Sequence, residues 1–204
     1  MHGHMLRRRC IGACLTAGQK GTGKWTVDAS LEEGIPLTLI GESVFSRFLS
    51  ALKDERVIAA KHYKKDAIQF DGDKSSFIKD LKQALYAAKI LSYTQGFQLM
   101  KASADTYNWD LNYGQIALMW RGGCIIRSVF LDKIKQAFER NKNLSNLLLD
   151  EYFKKTMDQT IPSLRKVISK AVLSGIPVPA LSAALSYFDG YTTDRLPANL
   201  LQAQ

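Results

Sequence analysis

Ser75-Ser76-Phe77-Ile78-Lys79-Asp80-Leu81-Lys82-Gln83-Ala84-Leu85-Tyr86-Ala87-Ala88 opens the segment whose reading decides the fold class. Phe77, Leu81, Leu85 and Ala88 recur every three or four residues, which lays them along one stripe of an α-helix. Ser75 or Ser76 can cap its N-terminus, and the pattern continues to about Asp105. The spacing predicts a long helix that buries Phe77, Leu81, Leu85 and Ala88.

The same period governs the chain on both sides. Residues 42 to about 60 place Val44, Phe45, Phe48, Leu49 and Leu52 on one arc of a helix. Ser43, Arg47, Ser50 and Asp54 share a neighbouring polar face. Further apolar stretches run from Ile116 to Phe138 and from Leu144 onward. Another follows Pro162 with Leu164, Val167, Ile168, Ala171 and Val172, and the last starts near Pro179 with Leu181, Leu185 and Phe188. No run of alternating β-branched residues and no Asn-Gly hairpin interrupts them, so the chain reads as all-α. Gly34-Ile35-Pro36 and Gly175-Ile176-Pro177 stand at the same kind of boundary. Glycine suits a left-handed helix end and proline the next helix entry, which hints at an internal helical repeat.

Composition sets the outer limits. The chain has 204 residues, enough for one sizeable domain, and 46% hydrophobic content with 23% charged excludes a disordered chain. A net charge of +9 points to an anionic partner, either nucleic acid or a phosphorylated metabolite, or simply to lysines that keep helix surfaces solvated. The lysines are dispersed and no helix carries a clustered basic face, which speaks against nucleic acid. No apolar run reaches the length of a membrane span. The three cysteines, Cys10, Cys14 and Cys124, lack framework spacing and suggest free thiols in a reducing compartment. His2, His4, Cys10 and Cys14 match no standard zinc spacing. Arg7-Arg8-Arg9 precedes an apolar run too short for a signal peptide, so no export is expected. Asp71-Gly72-Asp73-Lys74-Ser75 starts like a calcium loop. Ser76 occupies the required glycine position and Lys82 replaces the bidentate glutamate, which leaves a solvated connection.

Gly18-Gln19-Lys20-Gly21-Thr22-Gly23-Lys24-Trp25 carries the most chemistry per residue. It nearly completes the P-loop pattern, in which glycines let backbone N–H groups approach a phosphate and lysine adds charge. Trp25 stands where a hydroxyl must hold Mg²⁺, and the parallel strands of an NTPase are missing, so that class is excluded. Leu147 to Glu151, which resembles an acid-ended strand, fits a helix with Leu144, Leu148 and Tyr152 on one side. A phosphate anchor remains: Lys20 and Lys24 as point charges, Thr22 as a hydroxyl, and a helix start near Trp25 or Thr26. A tight turn made by the same glycines is the alternative.

Gly18 to Thr26 closely resembles the 6-phosphogluconate dehydrogenase family. So do Gly34-Ile35-Pro36-Leu37-Thr38-Leu39-Ile40-Gly41-Glu42-Ser43-Val44-Phe45-Ser46-Arg47 and Met119-Trp120-Arg121-Gly122-Gly123-Cys124-Ile125-Ile126-Arg127-Ser128-Val129-Phe130-Leu131. Ala184 to Tyr191 and Leu196 to Gln204 extend the match, which is collinear from about Ala17. The resemblance implies the helical C-terminal domain of the family, over residues 16–204, without its Rossmann domain. Residues 1–15 fall outside it and read as a disordered segment.

The family oxidises 6-phosphogluconate with NADP and releases CO₂, giving ribulose 5-phosphate in the cytoplasmic pentose phosphate pathway. By resemblance, Lys20 and Thr22 contact the substrate phosphate, Arg47 joins them from the following helix, and the domain pairs as a homodimer. The family's general base lysine and general acid glutamate belong to a part preceding these residues. Its substrate-binding arginine and histidine come from a tail that would begin beyond Gln204. No Gly-x-Gly-x-x-Gly fingerprint is present, and nothing recommends His62 as an acid or base. No catalytic residue, cofactor contact or metal ligand is therefore assigned here, and the chain alone is expected to be inactive. Gly122, Gly123 and Cys124 read as close helix packing around an inert thiol, and Arg127 as an ion pair or subunit contact. The rival reading is a non-catalytic helical dimerisation module. A basic nucleic-acid binder is a third, and no membrane partner is expected.

Overall fold

The computed structural model describes residues 17–18, 20–63, 70–121, 128, 130–198 and 202–203. Among them the regular structure is entirely helical. In chain order come α1 (Thr22–Glu32), α2 (Thr38–Ala51), α3 (Lys53–His62), α4 (Lys74–Tyr107), α5 (Tyr113–Arg121) and α6 (Leu131–Arg140). A 3-10 turn (Leu147–Leu149) then leads into α7 (Glu151–Leu173) and α8 (Pro179–Tyr191). The all-α expectation holds.

The long helix starts two residues earlier than a Ser75 cap would place it. Asp73 is its cap, and its carboxylate accepts the N–H groups of Ser75 at 3.2 Å and Ser76 at 2.9 Å. A carboxylate also suits the positive end of the helix dipole better than a hydroxyl does. At 34 residues α4 spans about 50 Å, at ~1.5 Å per residue. Its buried face differs from the predicted one. Ala84, Ala87, Ala88 and Leu91 are buried, Phe77 is half-buried, and Leu81 and Leu85 are exposed. The alanine row lets α7 approach α4 closely, and this pair forms the spine of the core.

The apolar stretches after Leu144 and after Pro162 are one element. Leu147–Leu149 forms a 3-10 turn rather than the first turn of a helix, and Asp150 caps α7 by accepting the N–H groups of Tyr152 and Phe153. Proline in a helix interior removes a hydrogen bond and ordinarily kinks or ends the helix. Here α7 continues through Pro162, because Phe153, Met157, Leu164 and Val167 on both sides of it share one buried face. Burial of such side chains contributes about 1.5–3 kcal/mol each, enough to offset the missing bond. Val172, the last residue of that apolar stretch, is exposed. The stretch from Ile116 to Phe138 is two helices, α5 and α6. Gly122, Gly123, Cys124 and Arg127 lie outside the described residues, as do Cys10, Cys14, His2 and His4.

Ion pairs tie the core helices from outside. Arg140 binds the nearly buried Asp150, Arg165 pairs with Asp189 of α8, and Lys166 pairs with Asp80 of α4. Ser163 adds its hydroxyl to Asp80, and the bonds from Lys166 and Ser163 hold that carboxyl below the usual carboxylate range. Asn146 donates to the Tyr187 hydroxyl at 3.1 Å, and that hydroxyl donates to Gln98. Burial pushes the Tyr187 hydroxyl up to about 12.

The two Gly-Ile-Pro phrases fold alike. Gly34 and Gly175 take φ of 65° and 63°, a conformation glycine adopts without steric cost. Ile35 N–H reaches back to the Ser30 carbonyl at 2.9 Å, and Ile176 N–H to the Ala171 carbonyl at 2.8 Å. Gly34 N–H bonds Leu31, and Gly175 N–H bonds Val172, which completes the same helix-ending motif in both places. The helices that follow, α2 and α8, pack against each other.

Candidate functional site

The turn at Gly34 folds α1 and α2 into a hairpin, and the candidate site sits at its open end. From Thr22 to Glu32 and from Thr38 to Arg47 the two arms rise about 15 and about 13 Å, at ~1.5 Å per residue. Helix arithmetic therefore places Thr22 and Arg47 at nearly the same height. A direct contact confirms that the ends meet: Ala17 N–H donates to the Ser50 hydroxyl at 2.8 Å, across 33 residues of sequence.

Helix α1 begins at Thr22, three or four residues ahead of the start expected near Trp25 or Thr26. Gly21 makes this possible. It is the N-cap at φ 102°, a conformation that side-chain-bearing residues rarely adopt, and it lies against the Trp25 ring. A glycine cap has no side chain to accept the first helical N–H groups. Among the described residues the Thr22, Gly23 and Lys24 amides have no acceptor, and the first turn contains no acidic residue. An uncapped helix start of this kind favours an anion.

Lys20, Thr22 and Lys24 are all exposed around it. Among the described residues neither lysine has a carboxylate partner, and the Thr22 hydroxyl makes no hydrogen bond. Thr26 closes the turn behind them, its hydroxyl donating to the Thr22 carbonyl at 2.7 Å.

Arg47 belongs to α2, exposed on the turn before Ser50, and among the described residues it too lacks an acidic partner. The helix that carries it is anchored at its start. The buried amide of Gln95, from α4, accepts Leu39 N–H at 3.0 Å and donates to the Thr38 hydroxyl at 2.9 Å. That cap explains why the helix begins at Thr38 and not near residue 42, since nothing in the local sequence supplies it.

The other end of the predicted 42–60 helix also differs. The chain breaks at Leu52, and Asp54 moves onto α3, off the face shared by Ser43, Arg47 and Ser50. Arg56 Nη2 donates to the Ser50 carbonyl at 3.0 Å, giving that carbonyl a partner beyond the helix ladder. The predicted apolar arc is mostly outside. Val44 is buried, but Phe45, Phe48, Leu49 and Leu52 are exposed at 57%, 46%, 59% and 50%. Leu39, Gly41 and Val44 face inward instead.

Sequence reasoning thus named Lys20, Thr22 and Arg47, and the hairpin brings their segments together. It missed the parts that hold them. Ser50 was legible only as a member of the polar face three residues from Arg47, and Gln95 carried no local signal. His62 ends α3, fully on the surface, and touches none of this. Among the described residues no group of three or more His, Cys, Asp or Glu side chains could hold a metal. No described helix is long and apolar enough to cross a membrane.

Comparison with known proteins adds a second line. A family model described as 6-phosphogluconate dehydrogenase, C-terminal domain, matches residues 14–204. Proteins named "6-phosphogluconate dehydrogenase, decarboxylating" from Homo sapiens and Ceratitis capitata are 58% and 62% identical over 190 residues. Those alignments cover 93% of this chain but only 39% and 40% of the relatives. A solved Plasmodium falciparum 6-phosphogluconate dehydrogenase superposes with a TM-score of 0.88 at 45% identity, over 94% of this chain and 41% of that one. It is described in its apo form, with its cofactor NADP+ and with its substrate 6-phosphogluconate. The chain spans about two-fifths of the length of these relatives.

Proposed function

The chain belongs to the 6-phosphogluconate dehydrogenase C-terminal-domain family, and from that premise we propose that it supplies the phosphate-holding part of the substrate site in an NADP-dependent decarboxylating dehydrogenase. The substrate is 6-phospho-D-gluconate, and the products are ribulose 5-phosphate and CO₂, in the cytoplasmic pentose phosphate pathway. Lys20 contributes a point charge, Thr22 a hydroxyl and the head of α1, and Arg47 a planar guanidinium that can grip two phosphate oxygens at once. The observation that carries this reading is the uncapped start of α1, flanked by cations that lack acidic partners among the described residues, on two segments that meet at Ala17 and Ser50.

NADP would accept the hydride removed from the substrate. The described residues contain no strand and no glycine fingerprint of a dinucleotide fold, so they do not fit that cofactor and no step is routed through it here. No residue of this chain is assigned to proton transfer, and residues 16–204 act as one helical substrate-binding and dimerisation unit. Pairing with a second copy draws support from the apolar face of α2. There Phe45 and Leu49, both exposed, line an open groove of about 420 Å³ with Val172 and Ile176, and a second copy could cover that apolar face.

Calorimetric titration tests the phosphate assignment. The chain is expected to bind 6-phosphogluconate and to ignore gluconate, which differs only by the phosphate. Arg47→Ala is expected to weaken binding about tenfold or more, because hydrogen bonds to charged groups contribute about 1.5–3 kcal/mol. Equal affinity for the two sugars, or an Arg47→Ala protein that binds as the parent does, would remove the proposal.

A further inference from the structure

The hydroxyl of Ser50 joins the two halves of the site without facing a ligand itself. It donates to the Arg47 carbonyl at 2.7 Å and accepts Ala17 N–H at 2.8 Å. A hydroxyl has one proton and two lone pairs, so both bonds form at once. The Ala17 carbonyl lies 3.4 Å from the same oxygen, a second position for that proton. The Ser50 carbonyl is held separately, by Arg56. Ser50 is therefore fixed to its own helix on two sides and free to present its hydroxyl to the incoming chain.

Among the described residues little else holds the loop. Ala17, Gly18, Lys20, Thr22 and Lys24 are exposed, and Trp25 is 65% exposed, so the segment buries almost no apolar surface. Placement by packing is weak here, and a single hydrogen bond then carries a large share of the geometry.

We propose that Ser50 is a positioning residue for phosphate binding: its hydroxyl sets the separation between the Lys20–Thr22 segment and Arg47. This deepens the phosphate-site reading above and rests on it. With the hydroxyl gone the loop occupies several positions, and only a fraction of molecules hold both walls at the right distance, which lowers the apparent affinity by that fraction.

The test uses the full chain, with 6-phosphogluconate as the probe for affinity and hydrogen exchange at the Ala17 amide as the probe for the tie. Ser50→Ala is expected to weaken binding about tenfold and to speed Ala17 exchange, while Ser50→Thr, which keeps the hydroxyl, stays near the parent in both. Ala17→Pro removes the donor and leaves Ser50 untouched, and it should reproduce the affinity loss even if the Ser50→Ala protein fails to fold. Arg47→Ala should lose affinity with Ala17 exchange unchanged. If Ser50→Ala and Ala17→Pro bind as tightly as the parent while Arg47→Ala does not, the positioning role is overturned and the phosphate site stands. If the parent chain shows no affinity for 6-phosphogluconate, both fall.

Discussion

The α4–α7 spine and the α1–α2 hairpin are built from the same helical period and put it to opposite uses. In the spine the apolar stripe is inside: Ile90, Leu91, Phe153 and Leu164 are fully buried, and Arg140, Arg165 and Lys166 around it are paired with carboxylates. In the hairpin much of the apolar arc is outside, and the cations at its open end have no acidic partner among the described residues. The first arrangement is what stability selects. The second leaves charge and backbone donors exposed to water, where an anion can take the solvent's place. Stability and binding therefore lie in different parts of the chain and should respond to different substitutions.

The sharpest break comes from Phe153, which is fully buried where α7 meets Phe130. Phe153→Ala is expected to cost about 3–5 kcal/mol in urea unfolding, from lost transfer energy plus the cavity left behind. Affinity for 6-phosphogluconate per folded molecule should not change. A fall in intrinsic affinity would mean that spine and hairpin are coupled.

Titration of Tyr187 gives an intermediate effect. Burial raises its hydroxyl from the ordinary 10 to about 12, so the native state holds that proton where the unfolded chain has released it. Stability is then full below pH 10 and declines as the pH rises towards 12, by about 3 kcal/mol at ~1.4 kcal/mol per unit. Unfolding free energies measured across that window should show the slope, and Tyr187→Phe should lessen it, leaving the share of Tyr86, Tyr113 and Tyr191, whose hydroxyls burial also raises. A slope unchanged by the substitution would assign the loss to other groups.

Arg47 sits at the far end of the scale for stability. As an exposed residue without an ion pair among the described residues, Arg47→Ala should move the unfolding free energy by no more than about 0.5 kcal/mol, while the phosphate-site proposal expects a large loss of affinity. A destabilisation of several kcal/mol would show that the guanidinium is structural.

The contrast also explains how far the sequence could be read. Helical spacing and the glycines at 34 and 175 announced the elements and two of their ends, because those signals are local. Periodicity finds a stripe but not its partner, so Leu81 and Leu85 read as buried and Phe48 as part of an apolar arc, while among the described residues all three stay exposed. Pro162 suggested a boundary that burial on both sides overrides, and the break at Leu52 follows a helix end that Arg56 helps to hold. Lys20, Thr22 and Arg47 were legible through a family resemblance and through phosphate chemistry. Gln95, which caps α2 from 56 residues away, and the bond from Ala17 to Ser50 were not legible, since contacts at that separation leave no pattern in one sequence.

The central claim is that the start of α1 is a phosphate site shared with Arg47. Amide chemical shifts recorded while 6-phosphogluconate is added test it most directly. The account predicts saturable shifts at the Thr22, Gly23 and Lys24 amides that inorganic phosphate partly reproduces and whose midpoint Arg47→Ala moves about tenfold or more to higher concentration. Shifts that leave those three amides unmoved, or that persist unchanged without Arg47, would contradict it.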